Sequence, residues 1–146
     1  MAYLEKAARQ GHAYAMSTLG GFRNQREEHQ LAVGWFTMAA EAGLPQAQFN
    51  LGTYLDKGEG VAAPDYPAAA DWFRRAADAG DAGVGEVASR FSGMAASNLS
   101  GMYSMGRGVT RSKRQAMRWM RKAAEYGHAE SCTTLAQWQG LTLVLF

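Results

Sequence analysis

The chain has 146 residues, which is enough for one ordinary domain with its own hydrophobic core. Hydrophobic residues make up 47% and charged residues 19% of the sequence, a composition typical of a globular protein and not of a disordered chain. The net charge is only +2, which does not indicate a dedicated nucleic-acid-binding protein. The charge is uneven, however, because residues 1–73 have more acidic than basic side chains and residues 74–146 have the opposite balance.

The residues that report on cell compartment favour the cytoplasm. Cys132 is the single cysteine, so an intrachain disulfide is excluded and a reducing compartment is favoured. The first twenty residues include Glu5, Lys6 and Arg9 and have no apolar core of the signal-peptide type. No run approaches the roughly 18 apolar residues of a membrane span. We therefore expect a cytoplasmic protein without a membrane span.

One helix ending occurs four times along the chain. Each copy has an aromatic residue, a second large apolar residue, two alanines three positions later and a glycine three positions after those. The copies begin at Tyr3, Trp35, Trp72 and Trp119, and their glycines are Gly11, Gly43, Gly80 and Gly127. An internal repeat of this length predicts a stacked repeat architecture, because one unit cannot bury its own apolar face.

A second helix signal follows three of these glycines. It has a small residue four positions after the glycine, a leucine four positions later and another small residue next to the leucine. The three sets are Ala15, Leu19 and Gly20; Ala47, Leu51 and Gly52; and Ser131, Leu135 and Ala136. The spacing of four places the first small residue and the leucine on one helix face. The repeating unit is therefore a pair of helices.

Several positions of the unit have predictable mechanical roles. The aromatic pair should fill the groove between helices, so the indoles of Trp35, Trp72 and Trp119 are predicted to lie inside the core. The glycine after each ending suits a left-handed helix cap. The segments 58–61 and 106–109 both read G-x-G-V, which predicts a turn between the two helices.

These motifs resemble the Sel-one-like repeat (SLR) family, an α-solenoid relative of the tetratricopeptide repeat. The resemblance covers almost the whole chain and implies an all-α fold, a right-handed α-α superhelix of helix-turn-helix repeats. We expect one domain, residues 1–146, with full repeats at 12–43, 44–80 and 81–127 and partial repeats at 2–11 and 128–140.

Two departures from the pattern qualify this assignment. About 11 extra residues lie between Gly80 and Ala95. Because three glycines in or beside that stretch weaken a helix there, we predict a partly helical excursion, that is, an insertion that departs from the repeat pattern. Neither end has the polar cap that solenoids need. We interpret the ends as those of a fragment, of a truncated gene model, or of a protein whose ends contact a partner.

The sequence offers little that could support catalysis. Residues 83–88 match G-x-G-x-x-A, but a predicted helix and not a strand precedes them, so we expect no dinucleotide cofactor. Three scattered histidines and one cysteine have no zinc-ligand spacing, and we predict no metal site. Cys132 is predicted to be a buried or half-buried structural thiol.

A basic run without any acidic residue extends from Arg107 to Lys122. Its predicted patch consists of Arg111, Lys113, Arg114, Arg118, Arg121 and Lys122. Basic residues at a helix start oppose the helix dipole, so their presence favours an acidic or phosphate-bearing partner. The alternative is a solvated helix face.

The family resemblance also implies a binding face, because the first helix of each tetratricopeptide repeat lines the concave side. Carried over to this chain, that face comprises Tyr14, Ser17, Asn24, Gln46, Phe49, Thr53, Asp56, Lys57, Ser97, Ser104, Met105, Thr133 and Gln137. The residue types are mostly neutral and polar, which suits an extended peptide. The alternative is an ordinary surface.

The resemblance implies a non-enzymatic scaffold or adaptor that binds a peptide segment or a protein surface, with no catalytic residues and no cofactor. One alternative is a structural repeat segment of a larger protein whose activity lies in another domain. Some similar SLR proteins are linked to β-lactam binding or hydrolysis, but those are rich in cysteine, and this chain has one.

Overall fold

The computed structural model describes residues 1–82 and 85–144, which form eight α-helices and one 3-10 turn and contain no β-strand. The helices are α1 (Ala2–Arg9), α2 (Ala13–Gln25), α3 (His29–Glu41), α4 (Pro45–Lys57), α5 (Tyr66–Asp78), α6 (Gly85–Met105), α7 (Lys113–Glu125) and α8 (Ala129–Val144), and the 3-10 turn is Ala79–Ala82. The predicted all-α class is confirmed.

The helices pack as a linear stack of hairpins. Helix α2 packs on α3, α4 on α5 and α6 on α7, and each second helix also contacts the first helix of the next hairpin. The first helices α4 and α6 contact each other as well. We call the side formed by α2, α4, α6 and α8 the first-helix side, and the side formed by α3, α5 and α7 the second-helix side.

Glycines of the first helices allow the two helices of a hairpin to approach closely. A Cβ atom added to Gly20 would lie 2.9 Å from the Phe36 ring, and one added to Gly52 would lie 2.8 Å from the Phe73 ring. Both rings are almost fully buried, at 4% and 1% exposure. The glycine of the first helix therefore leaves the space that the phenylalanine ring of the second helix fills.

The tryptophans contribute less to the core than the sequence predicts. Trp119 is 4% exposed, but Trp35 and Trp72 are only half-buried, so the prediction of three buried indoles is wrong for these two. The reason is geometric, because the neighbouring phenylalanine points at the glycine and turns the indole toward the rim of the core. In the third hairpin Met120 replaces the phenylalanine, and both Met120 and the indole of Trp119 are buried.

Glycines also shape the connections. Gly11, Gly43 and Gly127 have φ values of +88°, +89° and +78°, as expected for left-handed helix caps. Gly80 is not in that conformation; it lies within the 3-10 turn, and a Cβ there would lie 2.6 Å from the ring of Tyr126. The predicted cap role is therefore wrong at Gly80, which instead permits close packing.

Helix α6 is longer than the other first helices. It has 21 residues, whereas α2 and α4 have 13 each, and its additional turns are at its N-terminal end. The predicted excursion thus consists of the 3-10 turn and the start of α6, while Gly83 and Val84 lie outside the described residues. The start of α6 packs back on the preceding hairpin, since the rings of Phe49 and Phe91 lie 5.7 Å apart.

Candidate interaction surfaces

The thirteen residues predicted to form the binding face all lie on the first helices α2, α4, α6 and α8. Tyr14 and Met105 are the most prominent large side chains among them, at 72% and 63% exposure. Their placement agrees with a common face on the first-helix side. Whether that face binds a partner stays a prediction.

Two members of the predicted face already have hydrogen-bond partners within the fold, and a third is buried. Ser17 is only 6% exposed. The amide oxygen of Asn24 accepts a hydrogen bond from the Tyr54 hydroxyl at 2.5 Å. The Asp56 carboxylate accepts one from Arg107 at 3.1 Å. These interactions join neighbouring repeats, so Asn24 and Asp56 also contribute to the packing of one repeat on the next.

A shallow depression crosses the first-helix side at α2. It is lined by Tyr14, Ser17, Thr18, Gly21, Phe22, Gln25 and Gln46. The lining has no charged side chain, and Gly21 leaves open space at its centre, where nothing lies within 4 Å of an added Cβ. Phe22 is 40% exposed and was not predicted as a site residue. The depression offers two aromatic edges beside amide and hydroxyl groups.

The basic surface lies on the opposite, second-helix side, at α7. Lys113, Arg114, Arg118 and Arg121 are exposed on this helix, and Arg111 is exposed just before it. None of these five makes an ion pair with another residue in the described part of the chain. An open groove on α7 is lined by Ser112, Arg114, Gln115, Met117, Arg118, Arg121, Lys122 and Glu125.

Lys122 differs from the other cations of the predicted patch. Its ammonium group donates a hydrogen bond to Asp81 and lies 3.9 Å from Asp78. Both acids belong to the end of the preceding repeat, so a basic run that is free of acids in sequence is not free of them in space. Lys122 is therefore the one predicted patch member that is ion-paired in the described part of the chain, and binding by the patch stays a prediction.

Asp81 is shared between two donors of the α7 region. Its second carboxylate oxygen accepts a hydrogen bond from the Tyr126 hydroxyl. The hydrogen bond from Lys122 is the largest influence on the pKa of Asp81, which lies below its ordinary value of 3.8. The pKa of Tyr126 is raised, first by burial and then by its hydrogen bond to the carboxylate. This cluster ties the 3-10 turn to α7.

His128 and Cys132 lie at the start of α8. The Nδ1 atom of His128 lies 2.8 Å from the Ser131 hydroxyl and accepts a hydrogen bond from the Ser131 backbone amide, which is a helix-start interaction. Cys132 is exposed, so the prediction of a buried structural thiol is wrong. Within residues 1–82 and 85–144, no group of histidine, cysteine and acidic side chains is arranged to hold a metal ion.

The helices also give no sign of a membrane span. None of the helices within the described ranges is both long enough and apolar enough to cross a bilayer.

Comparison with known families matches this architecture to one repeat. The Sel1 repeat model matches residues 1–12, 13–44, 45–81 and 93–128, which is most of the chain. The chain belongs to the Sel1 repeat family. The family is generally a non-catalytic repeat scaffold that mediates protein interactions. The segment between the last two matches contains the start of α6.

Solved structures agree with this Sel1-repeat assignment. A Sel1 repeat protein from Oxalobacter formigenes has 30% identity and a TM-score of 0.77, over 92% of this chain and 96% of that one. The protective antigen c5321 of uropathogenic Escherichia coli has 33% identity and a TM-score of 0.78, over 97% of this chain but only 28% of its own length. The predicted solenoid is confirmed.

A more distant structure shows the fold alone. The cysteine-rich protein B of Helicobacter pylori has 20% identity and a TM-score of 0.65, over 91% of this chain and 90% of that one. A comparison with curated proteins gives no match.

Proposed function

We propose that this Sel1-repeat chain is a non-enzymatic scaffold or adaptor that binds an acidic segment of a partner protein through α7. The proposal is consistent with the general role of the family as a non-catalytic interaction scaffold. A cytoplasmic location is part of the proposal and rests on the single cysteine.

One observation carries the proposal: the uneven neutralisation of the α7 cations. Lys122 is paired with acids of the preceding repeat, whereas Arg114, Arg118 and Arg121 form no close ion pair in the described part of the chain, although Arg118 is near enough to Asp81 to lower its pKa. Spacings of four and three residues place these arginines along one side of the helix. Guanidinium groups bind carboxylates in a bidentate manner. The row is therefore suited to successive carboxylates of an acidic segment.

The start of α7 strengthens the case. Lys113 and Arg114 occupy the first turn, which has no acidic residue. Cations there oppose the helix dipole, at a typical cost of about 0.3–1 kcal/mol each. An anionic partner bound at this end would offset the repulsion between these cations and the positive end of the helix dipole. Its association rate would be higher at low ionic strength.

The test uses a fluorescein-labelled peptide of repeated glutamates as the acidic probe, with binding followed by fluorescence anisotropy. The triple substitution Arg114→Glu, Arg118→Glu and Arg121→Glu should weaken binding at least about tenfold and abolish its dependence on salt between about 0.02 M and 0.3 M.

The matched control changes the net charge equally at three other exposed cations. It is the triple substitution Lys6→Glu, Arg9→Glu and Arg90→Glu. We expect binding within about twofold of the original, because screening limits the reach of remote charges. If both triple variants lose the same affinity, the probe responds to net charge alone and the proposed surface is wrong.

The first-helix side could serve a second segment of the same partner. The uncharged depression on α2 has Tyr14 and Phe22 as aromatic edges, which suits apolar anchors of an extended peptide. Replacing Tyr14 with alanine should weaken a peptide bound there without changing the salt dependence of binding at α7.

A second candidate function is that of a structural segment within a larger array. The chain matches only 28% of the length of c5321, so a stretch of this size occurs there as part of a longer protein. The experiment is to sequence the complete transcript. A separate catalytic domain in the same reading frame would favour this candidate over an independent adaptor.

A further inference from the structure

The tryptophans of α5 and α7 are covered by cations of their own helix. The guanidinium carbon of Arg75 lies 4.5 Å from the ring centre of Trp72, and the Lys122 ammonium lies 5.6 Å from that of Trp119. Each cation comes three residues after its tryptophan. The same repeat position thus supplies a cation–π contact in two successive repeats.

The equivalent position of α3 is different. The residue three positions after Trp35 is Met38, which is 46% exposed. Helix α3 has no lysine or arginine at any position. Over the ranges that the structure describes, Trp35 is covered by no cation of the chain. Its indole is half-buried and packs against the N-terminal core cluster.

Two large apolar side chains flank this indole. Leu31 is 53% exposed and precedes Trp35 by four residues, and Met38 follows it by three, so the three side chains share one face of α3. Exposed carboxylates lie near both ends of the helix, at Glu27 and Glu41. The face therefore combines aliphatic flanks, an aromatic centre without a cation and acidic ends.

We propose that Leu31, Trp35 and Met38 form a docking surface for a cation-bearing amphipathic segment of a partner, which places an arginine or lysine over the Trp35 indole. The occupant is inferred from the chain itself, since the other two repeats show what covers this ring. A basic segment also complements Glu27 and Glu41. This surface is separate from the α7 surface and takes partners of opposite charge.

The probe is an acetylated and amidated helical peptide with one central arginine flanked by leucines four residues before and three residues after it. The matched peptide has citrulline, the neutral isostere, in place of arginine. Protein labelled with 5-fluorotryptophan is titrated and followed by ¹⁹F NMR, and the Trp35 resonance is assigned with the Trp35→Phe variant.

We expect the arginine peptide to shift the Trp35 resonance saturably and the citrulline peptide to bind at least about fivefold more weakly. Met38→Arg should abolish the shift, because it restores the intrachain cation that Arg75 supplies to Trp72. The complementary variant Arg75→Met should create a second shift, at Trp72. Both changes are at surface positions, and circular dichroism checks that the variants keep their helices.

Three results would overturn the proposal: no shift at Trp35 up to about 1 mM peptide, equal affinity for the citrulline peptide, or unchanged binding by Met38→Arg. None of them depends on the acidic probe, so failure here leaves the α7 proposal standing.

Discussion

Lys122 donates a hydrogen bond to Asp81 across the junction between the second and third hairpins. Asp81 lies in the 3-10 turn after α5, and Lys122 lies in α7, 41 residues later. The same carboxylate also accepts from Tyr126. The contact fixes the 3-10 turn to α7 at the point where the extra residues enter the repeat pattern.

The Asp81 cluster should make stability depend on pH at the acidic end. The folded-state pKa of Asp81 is lowered, so its contribution is complete above its ordinary pKa of 3.8 and is lost as the pH falls through the lower folded value. Asp81→Asn should therefore destabilise the protein by about 0.5–1 kcal/mol near pH 6, and by much less near about pH 2. Urea unfolding of both proteins at the two pH values measures this difference. A pH-independent difference would contradict the assignment.

Neighbouring glycines of α2 should respond in opposite directions to alanine. Gly20→Ala forces a Cβ to within 2.9 Å of the Phe36 ring, so overpacking should destabilise by about 1–3 kcal/mol. Gly21→Ala meets no atom within 4 Å and should stabilise the helix by about 0.5–1 kcal/mol. The denaturant midpoints of unfolding of the two variants, compared with that of the original protein, test both expectations. Destabilisation of equal size by both would argue against the close helix approach.

Adjacent aromatic residues of α5 should differ in their contribution to stability. Phe73 is 1% exposed, so Phe73→Ala should cost about 3–5 kcal/mol. Trp72 is half-buried and partly covered by Arg75, and Trp72→Ala should cost at least about 1 kcal/mol less despite the larger side chain. Thermal and urea unfolding provide the comparison. If Trp72→Ala destabilised the protein more than Phe73→Ala does, the tryptophan would be the main core residue of this pair.

The ion pair between Asp56 and Arg107 should couple two repeats. The side chains are 22% and 40% exposed, their atoms lie 3.1 Å apart, and the guanidinium also lies 5.3 Å from the Tyr66 ring centre. A double-mutant cycle with Asp56→Asn and Arg107→Met should give a coupling energy of about 0.5–1 kcal/mol. The analogous cycle for Asp65 and Arg90, which form no ion pair in the structure, serves as the control and should give none.

Much of the fold could be predicted because it is encoded locally and repeatedly. The glycines at 11, 43 and 127 mark helix ends through backbone conformation alone, and the leucine–glycine steps mark the first helices through spacing. Such signals need no knowledge of distant residues. Gly80 shows the limit, since its role depends on a ring that arrives 46 residues later in the chain, that of Tyr126.

The candidate surfaces were predicted less completely, for the same reason. The basic run was visible in sequence, but the pairing of Lys122 depends on acids that only the stacking of repeats brings near it. Asn24 and Asp56 have the residue types of a binding face, yet they are used between repeats. An ion pair or hydrogen bond depends on the distance between two groups in space, which the separation of the residues in the sequence does not give.

The sequence by itself determined the repeating helical unit, its order along the chain and its family, because periodic apolar and glycine positions set local conformation and the face that must be buried. The tertiary structure alone decided which members of the aromatic pairs fill the core, which α7 cation forms an ion pair, and that no cation of the described residues covers Trp35. These outcomes depend on how closely neighbouring helices approach, and that distance is set by packing between repeats.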